Sequence, residues 1–227
     1  MTTDTDTDTD TNPDFVAATR VFYDAIAEDY FNRFRSGHAA QPLERAVLAA
    51  YAEFVRGSGG GSGQVADLGC GPGWVTGFLD SLGLSVFGLD VSASMLAVAR
   101  REHPGLRFEQ GSMLELDLAD GTLAGVVAWY STVHTPADQL PALFAEFRRV
   151  LAPGGHLLLG FQVGDEPKHI DQPFGLPVSM DFLRRRPDRI AGLLTEAGFT
   201  LASQTVRAAD EQAGESSEQA FLMARKP

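Results

Sequence analysis

Val65-Ala66-Asp67-Leu68-Gly69-Cys70-Gly71-Pro72-Gly73 is the stretch that decides the fold. A short apolar run hands over to a glycine loop, and a helical pattern follows it. Glycines at such a turn let main chain approach a ligand to a distance that a Cβ would forbid. The spacing does not fit a dinucleotide loop: in G-x-G-x-x-G counted from Gly69 the third glycine falls on Trp74, and counted from Gly71 on Thr76. Asp67 opposes a pyrophosphate and suits a ligand with a positively charged amine. Further on, Asp90 ends the next apolar run, where an acidic residue can take both hydroxyls of a ribose. The ligand implied carries a ribose and a cation and no phosphate.

Outward from this loop the chain alternates. Val65–Leu68, Val86–Leu89, Leu106–Glu109, Gly125–Tyr130 and His156–Phe161 read as strands, with helical stretches between most of them. In Ala137–Leu151, Leu140, Leu143, Phe144, Phe147 and Leu151 form one apolar stripe, closed by Pro153-Gly154-Gly155. This rhythm predicts an α/β fold with a mostly parallel sheet covered by helices on both faces. Pro187–Gly198 reads as a further helix; Phe199–Val206 and Gln219–Ala224 read as an antiparallel pair joined by the acidic loop Arg207–Glu218. Between them, residues 162–186 are polar, rich in proline and too long for an ordinary connector, which marks a functional insertion or a disordered one. Before the loop, Phe15–Arg35 and Pro42–Arg56 are helical. On the first, Tyr23, Ala27, Tyr30 and Phe34 share a face.

The 227 residues, 44% apolar and 21% charged, are those of an ordinary globule. The expected organisation is a disordered acidic tail over 1–14, a helical N-terminal lid over 15–56, a Gly/Ser connector over 57–63 and a ligand-binding catalytic domain over 64–227 with its lid insertion at 162–186. No apolar run approaches the roughly 18 residues that span a bilayer, and Met1–Asp14 resembles neither a secretory nor a transit segment, so no membrane and a cytoplasmic location are expected. One cysteine, Cys70, leaves no disulfide framework. A net charge of −12 disfavours nucleic acid, whose affinity rests on Lys/Arg displacing counterions; the one dense basic run is Arg184-Arg185-Arg186.

The segment Asp67-Leu68-Gly69-Cys70-Gly71-Pro72-Gly73 resembles the D-x-G-x-G-x-G signature of class I S-adenosylmethionine-dependent methyltransferases. Leu89-Asp90-Val91-Ser92 resembles their second motif, and Phe147–Gly155 the turn before their fifth strand. The resemblance covers residues from about 65 to the C-terminus. It implies a Rossmann-like, seven-stranded sheet with an antiparallel C-terminal strand, S-adenosylmethionine as cofactor and S-adenosylhomocysteine as product. It also implies roles: Asp67, Gly69 and Gly71 at the methionine end, Asp90 and Val91 at the ribose, Met95 on the adenine, Ser112 or Met113 where the family's third motif often places an acid, and Tyr130, at the end of the fourth strand, on the cofactor. Tyr23-Asp24-Ala25-Ile26-Ala27-Glu28-Asp29-Tyr30 resembles the lid helix of small-molecule members, in which tyrosines close over cofactor and substrate. Tyr23 and Tyr30 are therefore expected on the cofactor, although core packing would explain them too. Cys70 reads as a small loop filler, and Trp74 as buried against the sheet.

Methyl transfer is an in-line displacement, and a neutral acceptor must also lose a proton. His134, just past the fourth strand with Tyr130 and Ser131, is the first choice of base; His169 and Glu166, in the insertion, are the others. A capping role for His134 is the alternative. His38 and His103 read as solvated and His156 as structural. Glu166, His169 and Asp171 also have a metal-like spacing, but without a helix to aim them no metal is expected. The resulting expectation is transfer of a methyl group to a small organic acceptor, aromatic or heteroaromatic, at N, O or C, an indole or phenol carbon included, in the manner of bacterial secondary metabolism. A protein or RNA methyltransferase and a non-catalytic cofactor-binding sensor or scaffold are the alternatives. The protein is expected to be a monomer or homodimer.

Overall fold

In this computed structural model, the described residues are 14–35, 41–57 and 63–227. Residues 1–13 of the acidic tail, most of the Gly/Ser connector and His38 lie outside them. The elements are α1 (Asp14–Phe34), α2 (Pro42–Gly57), β1 (Gln64–Leu68), α3 (Trp74–Ser81), β2 (Val86–Asp90), α4 (Ala93–Glu102), β3 (Arg107–Gln110), β4 (Leu123–Trp129), α5 (Leu140–Val150), β5 (Leu151–Gln162), β6 (Lys168–Asp171), β7 (Ser179–Phe182), α6 (Pro187–Glu196), β8 (Thr200–Arg207) and β9 (Gln219–Arg225).

Seven strands form one sheet in the order β3-β2-β1-β4-β5-β9-β8. β9 runs antiparallel to both neighbours, β5 and β8, and the β1–β5 pairings are parallel. The continuous apolar runs of β1, β2 and β4 are buried on both faces, as a helix-covered parallel sheet demands. On one face the α5 stripe of Leu140, Leu143, Phe144 and Phe147 packs with Ile190 and Leu194 of α6. On the other, Leu48, Tyr51 and Val55 of α2 pack with Val75 and Leu79 of α3. Gly125 of β4 makes that second layer close: a Cβ there would stand 2.1 Å from the Tyr51 hydroxyl, which donates to the His156 carbonyl at 3.3 Å.

This divides the segment expected to form the lid. α2 is a layer of the core. α1 lies over the carboxyl edge of the sheet, where Phe22, Ile26 and Phe31 pack with Met95 and Val98 of α4; α2 reaches that edge only at its first turn. Asp24 fastens it there, accepting from the Ser92 hydroxyl at 2.7 Å and the Ser94 amide at 3.1 Å. The insertion is an ordered hairpin of β6 and β7, paired antiparallel, whose Ile170, Val178, Met180 and Phe182 join the same apolar cluster as α1.

The dense basic run makes no groove. Arg185 is half-buried and bonds the Thr135 carbonyl, Arg184 reaches Ser216, and the exposed Arg186 lies beside Asp165 and Asp188. No helix among the described residues is long and apolar enough to cross a membrane.

Candidate active site

A cavity of about 810 Å³ opens along the carboxyl edge of the sheet, under α1 and the β6–β7 hairpin. The glycine loop makes one end of it. Gly69 holds φ +71°, and a Cβ there would sit 2.3 Å from the Ser131 Cβ, so the loop lies directly against the end of β4. Asp90 closes β2 and organises the loop: the Gly71 amide donates to one carboxylate oxygen at 2.8 Å and the Ser92 amide to the other at 2.9 Å. Burial raises the Asp90 pKa and these amides pull it down, while nearby Asp24 adds to the rise. Val91, Met95, Gly111 and Met113 continue the wall.

These features fit S-adenosylmethionine. Glycine main chain leaves room at the loop, a buried carboxylate stands at the end of the second strand with lone pairs beyond those its two amides use, and Met95 and Met113 offer apolar surface to a flat ring. Two expected contacts stand elsewhere. Asp67 does not line the cavity; it is 1% exposed and accepts from the Thr76 hydroxyl at 2.6 Å, with its pKa raised by burial to about 7. Ser112 does not line it either, and its hydroxyl accepts from the Leu114 amide at 3.2 Å.

The lid aromatics meet the cavity as expected, with a difference at Trp74. Tyr23 and Tyr30 line it, and burial pushes the Tyr30 hydroxyl up to about 12. Trp74 also lines it. Its indole stacks on Tyr30 and on Phe31, both with centroids 5.9 Å away, so Trp74 pairs with the lid helix and not with the sheet.

Of the three candidate bases, the structure brings only His134 to the cavity. It is 8% exposed, and burial lowers its pKa to about 4. Its Nδ1 lies 3.2 Å from the main-chain oxygen of Asp181 in β7. A carbonyl only accepts, so Nδ1 carries the proton and Nε2 presents its lone pair to the Tyr23 hydroxyl, 3.0 Å away. His169 faces away. In β6 alternate residues point to opposite faces; Lys168 and Ile170 line the cavity, whereas His169 is exposed and pairs with the Asp181 carboxylate at 2.7 Å. Glu166 is exposed in the turn before β6 and does not line the cavity. Among the described residues no cluster of three or more His, Cys, Asp or Glu is placed to hold a metal. His103, expected in solvent, is half-buried with its ring against Gly73 and Gly77. His156 is buried in the core. The Cys70 thiol, packed against Gly88, is pushed up by burial.

Of the far end of the cavity only Tyr130 was anticipated, as a contact to the cofactor. Tyr130, at φ +55°, directs its hydroxyl to Glu44, which accepts from it at 3.2 Å. Glu44, buried at the start of α2, also accepts from Arg207 at 2.8 Å, and Arg207 donates to Glu215 at 2.7 Å. Gln162 and Gln219, cross-strand partners at the end of β5 and the start of β9, complete this wall. The side-chain oxygens of Gln162 and Ser131 are buried without a hydrogen-bond partner among the described residues. Glu44 begins an amphipathic helix, where an acid usually reads as a dipole partner, so local pattern carried no signal of this role.

Residues 65–155 match a family model described as a methyltransferase domain. The chain is 29% identical over 189 residues to malonyl-[acyl-carrier protein] O-methyltransferase of Erwinia billingiae, covering 80% of this chain and 72% of that protein. It is 37% identical over 155 residues to trans-aconitate 2-methyltransferase of Methylobacterium nodulans, covering 65% of this chain but 53% of the relative. The magnesium protoporphyrin IX methyltransferase of Synechocystis PCC 6803, solved with bound S-adenosylmethionine, superposes with a TM-score of 0.69 over 96% of this chain and all of that one, at 17% identity. A glycopeptide N-methyltransferase in complex with S-adenosylmethionine gives 0.61 over 79% of this chain and 94% of that one, at 22% identity. At those identities the two structures speak for the fold alone. Residues 65–155 thus match a methyltransferase domain, and with this glycine loop and strand order the chain has the fold of the class I S-adenosylmethionine-dependent methyltransferases.

Proposed function

We propose that the enzyme methylates a small organic acceptor enclosed between α1, the β6–β7 hairpin and the end of β4, with the Tyr23–His134 pair removing the acceptor's proton. The carrying observation is that pair: a neutral, buried imidazole whose free lone pair meets a phenol on the cavity wall. Asp90, Gly69, Gly71, Val91, Met95 and Met113 hold the cofactor in this reading; Asp67 supports the loop from beneath, and Ser112 shapes the turn before Met113. S-adenosylmethionine, when bound, supplies an electrophilic methyl on a sulfonium. The chain's own residues do the rest. Tyr23, Phe182, Val133 and Trp129 give the acceptor an apolar seat. Alignment in such an enclosed site is worth up to roughly 7–11 kcal/mol of barrier. As the acceptor oxygen or nitrogen is methylated, its proton passes to the Tyr23 oxygen while the Tyr23 proton passes to His134 Nε2. The Asp181 carbonyl steadies the imidazolium formed.

The apolar seat and its aromatic rim favour an aromatic or heteroaromatic acceptor. The relatives are named for a malonyl group on a carrier protein and for trans-aconitate, and we take from them only that the group methylated is small. Arg184 and Arg185 bond within the fold and the exposed Arg186 lies beside Asp165 and Asp188, which speaks against a nucleic-acid acceptor. Methyl-labelled cofactor incubated with phenols, indoles and aromatic amines tests the reading. Label should appear in a small product. Label appearing only in added RNA or protein, or in nothing, would count against it.

A further inference from the structure

Resting on that reading, we infer that Lys168 receives a carboxylate on the acceptor, so that the enzyme selects small aromatic acids over the matching amides and amines. The charges of the cavity wall single this residue out. Four carboxylates line the cavity, those of Glu44, Asp90, Asp210 and Glu215, and each is engaged within the protein. Asp90 accepts from the amides of Gly71 and Ser92. Arg207 donates to Glu44 at 2.8 Å and to both oxygens of Glu215 at 2.7 Å, and Asp210 accepts from the Gln41 amide at 3.0 Å. Arg184, Arg185 and Arg186, in the same insertion as Lys168, have partners too. Lys168 differs: it lines the cavity, half-buried, and makes no hydrogen bond or ion pair with any described residue.

Strand register places Lys168 beside the proposed base. In β6 the outward His169 pairs with the Asp181 carboxylate, while Lys168 and Ile170 face inward. Lys168 is the cross-strand partner of Phe182, and such partners share a face with Cβ atoms about 5 Å apart. The Phe182 ring lies edge-on to the His134 imidazole, with centroids 4.7 Å apart, and edge-on to Phe22 of α1 at 6.1 Å. The flexible four-carbon stem of Lys168 thus runs alongside the aromatic seat and brings its ammonium within reach of an acceptor held there. A cation turned toward this apolar cluster is unfavourable without an anion to meet it. A carboxylate supplies that anion through charge-assisted hydrogen bonds. Among the described residues Lys168 is the one cation on the lining, His134 being neutral there. One positive charge matches a carboxylate better than the near-double charge of a phosphate. An amide brings no charge, and a protonated amine would face a like one.

The test is calorimetric titration at neutral pH, with S-adenosylhomocysteine present, of two matched sets. One is 4-hydroxyphenylacetate against 4-hydroxyphenylacetamide and tyramine; the other is indole-3-acetate against indole-3-acetamide and tryptamine. Each acid should bind about tenfold or more tightly than its amide and its amine, the discrimination that a charge-assisted contact provides. Lys168→Met, which keeps the bulk of the stem and removes the charge, should abolish the preference, and Lys168→Arg should retain it. Affinity for S-adenosylhomocysteine should be the same in both variants as in wild type, and Lys168→Gln carries the test where Lys168→Met fails to fold. Amides or amines that match the acids, a preference that survives loss of the charge, or no binding of either acid would overturn the inference. So would a fall in affinity for S-adenosylhomocysteine in folded Lys168→Met, which would give the cation to the cofactor's own carboxylate. Failure of S-adenosylhomocysteine to bind the wild type would instead defeat the methyltransferase reading beneath it.

Discussion

At the β1–β2 end of the cavity the working surface is main chain: glycines at positive φ, and amides of Gly71 and Ser92 clamped by one buried carboxylate. At the β5–β9 end and beneath the hairpin it is side chain. Tyr23, Glu44, Tyr130 with His134, Gln162 and Glu215 arrive from five separate stretches of sequence and meet only in space. Main-chain geometry repeats wherever the loop and strand repeat, so the first end suits one shared cofactor, as proposed above. The second end is assembled from distant pieces and can be altered piece by piece, which is the arrangement an acceptor site needs. A substitution at the first end should therefore change cofactor affinity, and one at the second should change turnover or acceptor choice.

His134→Ala tests that division most severely. Loss of a general base lowers turnover by about 10²–10⁴-fold, and calorimetry should show affinity for S-adenosylhomocysteine unchanged. A parallel fall in that affinity would mean that the two ends are not separable. Next comes Asp90→Ala, which removes the acceptor of two loop amides. Cofactor affinity should drop by about 10–100-fold, the worth of charge-assisted bonds of roughly 1.5–3 kcal/mol.

A third effect concerns pH. His134 titrates near 4 in the folded protein, well below the ordinary histidine value. Between the two values the unfolded chain binds the extra proton, so stability is full above about 6.5 and declines as pH falls toward 4, by up to about 3 kcal/mol for this one group. Denaturant melts of wild type and His134→Gln across that range should show the wild-type slope reduced in the variant. The smallest effect lies in dynamics. S-adenosylhomocysteine should slow amide exchange in α1, whose face is shared between cofactor and core, and leave β4 unchanged. Equal protection of α1 with and without it would make the helix a fixed wall.

Much of this was legible locally. The strand runs, the α5 stripe and the Gly69–Gly73 turn are signals carried by a few adjacent residues, and each formed close to where its pattern lay. The failures have a common physical origin in pairing across distance. In the hairpin, strand register decides that Lys168 and Ile170 face inward and His169 outward, and no local pattern in so polar a segment specifies it. Glu44 looks like a helix-start acid until Arg207, far along the chain, arrives beside it. Trp74 has the composition of a core residue, and only the placement of α1 shows that Tyr30 and Phe31 are what it stacks on. Asp67 illustrates the converse: its motif position is right, yet burial and Thr76 keep it off the wall.

The hydrogen bond from the hairpin to His134 is made to the main-chain oxygen of Asp181, while the Phe182 ring packs edge-on against the imidazole. Whatever residue occupies position 181 offers that oxygen, provided the β6–β7 pairing holds. Lys168 and Ile170 on its inner face can then be exchanged without disturbing the tautomer of the imidazole. The hairpin is thus a cassette in which selectivity is free to drift during evolution, or to be redesigned by grafting, while the proposed proton-transfer pair is inherited intact.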